Sequence, residues 1–144
     1  MQSLTKCAAL VATAAAVLAG CGGGTIVVPT GPVKLDELRA DSRPYFWVGT
    51  SFEGLPLTYA EQYNGRFGSL MYGTCEIRGG SFSDEGCAPP LEIQNTICRG
   101  EVSVAIFPGG RRAARAAKAL RPLNAAARRA KEPFVSIDRG VACY

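Results

Sequence analysis

Residues 102–137 read VSVAIFPGGRRAARAAKALRPLNAAARRAKEPFVSI, and two different periodicities meet in them. Residues 102–107 (Val-Ser-Val-Ala-Ile-Phe) are a buried-looking, mostly apolar run with the length of a strand. Pro108-Gly109-Gly110 breaks it. Over 111–121 the apolar residues Ala113, Ala116, Ala117 and Leu120 recur at helical spacing, with Arg111, Arg115 and Lys118 on the other side. Pro122 ends or kinks this helix, and Asn124 is placed to cap a second, short one running through Lys131. Residues 134–137 form the last strand. Strand, helix and strand in this order predict a right-handed crossover that returns the chain to the same sheet.

Upstream, the signals are those of strands. Residues 45–48 (Tyr-Phe-Trp-Val) follow Pro44 and are aromatic and β-forming. Residues 57–63 and 66–72 flank Asn64-Gly65, a pair that accepts the positive φ angles of a type I′ hairpin turn. A two-residue turn there sets Tyr63 opposite Arg66, Tyr59 opposite Leu70 and Leu57 opposite Tyr72, which gathers apolar groups on one face. Residues 91–94 alternate. Eight of the twelve aromatic residues lie between Tyr45 and Tyr72, and strand aromatics belong mainly to the core because rings bury large areas. The expected fold is α+β: a small, mostly antiparallel or mixed sheet with one crossover helix.

The N-terminus carries an address. Lys6 precedes thirteen uninterrupted small or apolar residues, 7–19 (CAALVATAAAVLA). A helix spanning a bilayer needs roughly 20 apolar residues, so this run reads as the core of a signal peptide. It ends in Leu18-Ala19-Gly20-Cys21, which resembles the bacterial lipobox at all four positions. The resemblance implies a lipoprotein precursor. Residues 1–20 would be removed, and Cys21 would carry a diacylglyceryl thioether and palmitate-type acyl chains as the first residue of an extracytoplasmic, membrane-anchored protein. Residues 21–33, beginning with three glycines and containing Pro29 and Pro32, read as a flexible tether of about 19 Å r.m.s. reach. Residues 34–144 form one domain.

An oxidising compartment makes the remaining cysteines candidates for disulfides. With Cys7 lost and Cys21 acylated, Cys75, Cys87, Cys98 and Cys143 remain, and three pairings are open to them. Cys75–Cys87 with Cys98–Cys143 is favoured. The first bridge closes a Gly-rich excursion, and the second pins the C-terminus. A metal held by four thiolates lacks any C-x-x-C spacing, so no metal and no cofactor are expected. The stretch from Tyr72-Gly73-Thr74-Cys75 to Cys87-Ala88-Pro89-Pro90-Leu91-Glu92-Ile93-Gln94 resembles one found in bacterial envelope proteins of unassigned activity, as does Phe52-Glu53-Gly54-Leu55-Pro56-Leu57. That implies a fold and no mechanism.

Charge and chemistry narrow the function. The chain has no histidine, which removes the commonest general base and zinc ligand. Its net charge of +4 hides an asymmetry. Residues 111–132 hold eight cations against Glu132 alone, while 21–110 and 133–144 hold seven cations against eleven acids. Arg111, Arg112, Arg115 and Lys118 are therefore candidates for contact with an anionic surface, beside the plainer reading of a solvated helix face. Nucleic acid is not an expected partner outside the cytoplasm. Asp84-Glu85, with Glu76 and Glu92, could in principle serve a carboxylate-dependent hydrolase if held across a cleft. Pro108-Gly109-Gly110 is either an anion-binding helix start or a plain turn. The expected function is a lipid-anchored envelope protein with a small non-catalytic binding or structural domain, partnered by an envelope protein or anionic polymer; the alternative is a small envelope hydrolase.

Overall fold

The computed structural model of the chain describes residues 26–28, 32–63, 65, 67–77 and 88–140. Its elements in chain order are β1 (Ile26–Val28), α1 (Leu35–Ala40), β2 (Phe46–Trp47), β3 (Ser51–Phe52), β4 (Leu55–Tyr63), β5 (Phe67–Tyr72), β6 (Cys75–Ile77), β7 (Leu91–Cys98), β8 (Glu101–Phe107), α2 (Arg111–Ala119), β9 (Arg121–Pro122), α3 (Ala125–Arg129) and β10 (Phe134–Ile137). The architecture is α+β. A six-stranded mixed sheet runs in the order β10-β8-β7-β5-β4-β3, and every neighbouring pair is antiparallel except β8 and β10.

The β4–β5 hairpin forms where the alternation predicted it, with a corrected register. Tyr63 lies opposite Phe67, not Arg66, so three residues rather than two join the strands, with Gly65 at φ +66°. The offset puts Tyr59 opposite Met71 and Ala60 opposite Leu70. A bulge between Leu57 and Tyr59 then restores the expected pairing of Leu57 with Tyr72. Thr58 occupies the bulge and donates its hydroxyl hydrogen bond to the Met71 or Gly73 carbonyl. Because side chains alternate faces, the shift matters: Ala60, Leu70 and Tyr72 are fully buried, and Tyr59 is not. The core selects the small Ala60 at the site where α1 packs on β4.

β7 is four residues longer than its alternating tetrad predicted. Leu91, Ile93 and Asn95 are buried and Glu92, Gln94 and Thr96 half-buried, the pattern of a strand with one covered face. β8 buries Ser103, Val104, Ala105 and Ile106 in succession. Its parallel partner β10 (Phe134 opposite Ser103, Ile137 opposite Ile106) requires a crossover, and α2, β9 and α3 supply it. Pro122 does end α2, but residues 121–122 pair with β2 instead of simply turning.

β2 lies outside the main sheet and is held to it by buried side chains. Asn95 accepts from the Phe46 amide (2.7 Å) and donates to the Phe46 carbonyl (3.0 Å). The Tyr72 hydroxyl accepts from Val48 N (3.4 Å) and donates to Gly49 O (3.0 Å). Asn124 caps α3 through Ala127 N (2.9 Å), accepts from Tyr45 N (3.3 Å), and directs its amide at the carbonyls of Leu38, Asp41 and Arg43. Tyr45, Phe46, Trp47 and Tyr72 are core residues, as strand aromatics were expected to be.

Within 21–33, the segment expected to be a tether, Ile26–Val28 pairs antiparallel with β6, Val28 opposite Cys75. The β-branched triplet Ile-Val-Val is the local reason. Further on, Pro32 O accepts from Ala60 N and Lys34 N donates to Ala60 O, so the chain joins the β4 edge just before residue 34.

Candidate anionic-surface interface on the helical layer

α2 packs across β8 and β10 on its small residues. Ala113 and Ala116 are completely buried, and Ala117 and Leu120 are partly covered against the core. Alanines at this spacing bring the helix axis close to the sheet, which leaves the long side chains pointing away. All eight cations of residues 111–132 are exposed.

Their electrostatic surroundings differ. Glu53, in the β3–β4 turn at φ +49°, takes hydrogen bonds from Arg115 Nε and Nη2 and an ion pair from Arg112 Nε at 3.5 Å. The Arg115 hydrogen bond foremost, with the nearby Arg112 charge, holds the Glu53 carboxyl below its ordinary range. Arg112 also donates to Pro90 O at 3.4 Å. Two of the four predicted contact residues are therefore tied to one carboxylate. Among the described residues, Arg111 and Lys118 enter no ion pair, and neither do Arg128, Arg129 and Lys131 on and after α3. The last three were not singled out as contact residues. The signal that could have found them is the unbroken eight-to-one charge imbalance of residues 111–132.

Two shallow, open depressions flank the 130–133 segment. One, of about 760 Å³, has Ile97, Val102 and Phe134 beside Arg129 and Lys131, with Glu101 and Glu132 also on its rim. The other, of about 440 Å³ between α2 and α3, combines Leu120, Ala127 and Val135 with Lys118, Arg128 and Lys131. Phe134 is 69% exposed and Ile97 42%. The first rim balances two cations with two acids, whereas the second sets Lys118, Arg128 and Lys131 against Glu132 alone, and its apolar floor with that cationic excess suits an anionic, partly apolar partner.

The other candidates are placed as follows. Glu92 accepts from Ser69 Oγ and Gln94 Nε2, both at 2.8 Å. Glu76 lies on β6, and Asp84-Glu85 fall outside the described residues, as do Cys21, Cys87 and Cys143. Cys75 opens β6 and Cys98 ends β7. Among the described residues, no group of three or more His, Cys, Asp and Glu is arranged to hold a metal ion. Pro108-Gly109-Gly110 is a turn whose Gly109 amide donates to Asp138 Oδ1 at 3.2 Å. No helix among the described residues is long and apolar enough to cross a membrane.

The most perturbed titrating cluster is structural. Arg43 and Tyr45 both donate to Asp41, whose carboxyl is lowered to about 2, chiefly by the Arg43 hydrogen bond. Burial raises the Tyr45 phenol. The group fixes the path from α1 into β2. In comparisons with known proteins, no family, no curated protein and no solved structure matches this chain.

Proposed function

We propose that this chain is a lipid-anchored, extracytoplasmic envelope protein whose domain is a non-catalytic binding module. The observation that carries the anchor is Leu18-Ala19-Gly20-Cys21 closing an apolar run too short to span a bilayer. Acyl chains contribute about 0.8 kcal/mol per buried methylene, so two or three on Cys21 make a stable attachment. What supports a binding role is the open, mixed apolar and cationic relief around residues 130–133. The Glu92 and Glu61 carboxylates are already occupied by neighbours, Glu61 by Lys34 and Tyr59. An anionic partner of the envelope fits such a surface.

The same reading includes two disulfides, Cys98–Cys143 and Cys75–Cys87. Support for the first is position: Cys98 borders the same depression as Arg139 and Gly140, three residues before Cys143. Cys75 and Cys87 are then left to each other.

Mass spectrometry of the protein purified from its own cells tests both parts. The mature N-terminus should be Cys21 with acyl mass attached, and no thiol should alkylate before reduction. A chain starting elsewhere, or one that carries no acyl mass on Cys21, refutes the anchor. Two or more alkylatable thiols without reductant refute the bridges.

A further inference from the structure

The helical layer is charged out of proportion to the domain beneath it. Its eight cations are all exposed, and the acids beside them are Glu132, Glu101 across the groove from Arg129 and Lys131, and Glu53, which Arg112 and Arg115 share. The rest of the mature chain is net acidic, with eleven acids to seven cations. Such a division orients a protein in an external field. Phe134 stands largely exposed on the same groove as Arg129 and Lys131.

We propose that this layer is a second membrane contact, in which Arg111, Lys118, Arg128, Arg129 and Lys131 rest on anionic phospholipid headgroups and Phe134 enters the interfacial zone. The proposal rests on the lipid-anchor reading and deepens it. Cys21 is five residues from Ile26, where β1 begins. Even fully extended, those residues reach about 18 Å, so the folded part stays beside the bilayer. Charge complementarity then selects the face. The headgroup field decays within about 8 Å at physiological salt, so only a layer lying on the surface feels it. The acyl chains already retain the protein, and the basic layer therefore sets its orientation. Headgroups also explain the exposed ring, since aromatic side chains favour the boundary between headgroups and acyl chains. A soluble polyanion offers no such boundary.

The chain has one tryptophan, Trp47, and it lies in β2, paired to β9 within this layer. Energy transfer from Trp47 to dansyl-labelled lipid therefore reports how close the layer sits. The full acylated chain is reconstituted into vesicles of phosphatidylcholine, alone or with about one third phosphatidylglycerol. Transfer should roughly double on the anionic vesicles and return to the neutral value near about 0.5 M salt. The triple variant Arg128→Gln, Arg129→Gln, Lys131→Gln should lose the increase. The double variant Arg112→Gln, Arg115→Gln should keep most of it, because Glu53 already neutralises part of that pair. An unchanged Trp47 emission maximum shows that each variant is folded. Transfer indifferent to headgroup charge, or a triple variant that behaves as the parent, overturns the proposal. Acyl mass on Cys21 is read from the same preparation. An acylated chain whose transfer ignores headgroup charge keeps the anchor and loses the contact, whereas an unacylated chain with salt-sensitive transfer does the reverse.

Discussion

Asn124 is the residue whose loss the structure makes most expensive for its size. It is 2% exposed and its amide serves five backbone groups. Asn124→Ala removes the α3 cap, which is worth about 1 kcal/mol. It also strands the buried Tyr45 amide, at roughly 1–3 kcal/mol. The carbonyls of Leu38, Asp41 and Arg43 lose a shared donor; Asp41 and Arg43 are partly exposed and regain water, while the buried Leu38 regains less. The sum is about 2–4 kcal/mol. For a domain of this size that lowers the Tm by roughly 8–16 °C. Urea unfolding followed by circular dichroism should show the midpoint shifted at constant slope. Asn124→Asp separates the two halves, since it keeps the capping acceptor and loses the donors. It should fall between Asn and Ala or below both, as its carboxylate faces three carbonyls. A loss below about 1.5 kcal/mol for the alanine variant would mean that the residue is only a cap, and the reasoning about α1, β2 and α3 sharing one side chain would be wrong.

Gly68→Ala should destabilise by about 1–3 kcal/mol, because an added Cβ would lie 2.4 Å from the buried Tyr45 ring; unfolding that matches the parent within error refutes this contact. Asp41, lowered from 3.8 to about 2 by the Arg43 hydrogen bond, is depressed in the folded state. Its contribution is therefore complete above about pH 4 and lost as the pH falls towards 2. Asp41→Asn should flatten that part of the stability curve, and an unchanged acid limb rejects the assignment. Glu53→Gln leaves Arg112 and Arg115 without their carboxylate, so the variant should elute from a cation exchanger at higher salt than its single unit of added charge at a fully screened site would produce; earlier or equal elution counts against the pairing.

The site was legible as charge and illegible as geometry. The eight-to-one imbalance of residues 111–132 is visible in the letters alone, and the alanine spacing of α2 correctly set its cations outward. That Arg112 and Arg115 meet Glu53 could not be read, because 62 residues separate Arg115 from its partner. Without that pairing, the first turns of α2 look like the strongest contact surface, when the cations on and after α3 carry as much exposed charge.

Local pattern alone was enough for the strand–helix–strand crossover, the Asn124 cap, the β4–β5 hairpin and the α+β class, since each depends on residues a few positions apart whose spacing has one stable solution. The Asn64-Gly65 signal still misjudged the turn by a residue, and the buried Ala60–Leu70 pair, chosen by packing against α1, decides the register that a turn motif leaves open. β2 is the plainest case of tertiary control. Its two residues have no strand neighbour in the main sheet; Asn95 bonds Phe46, Tyr72 bonds the following Val48 and Gly49, and Asn124 bonds the preceding Tyr45, side chains 23 to 79 residues away. Periodicity records which way a side chain points. Only the folded chain brings a polar one against a distant backbone, where leaving either group unpaired in the core would cost more than holding both in place.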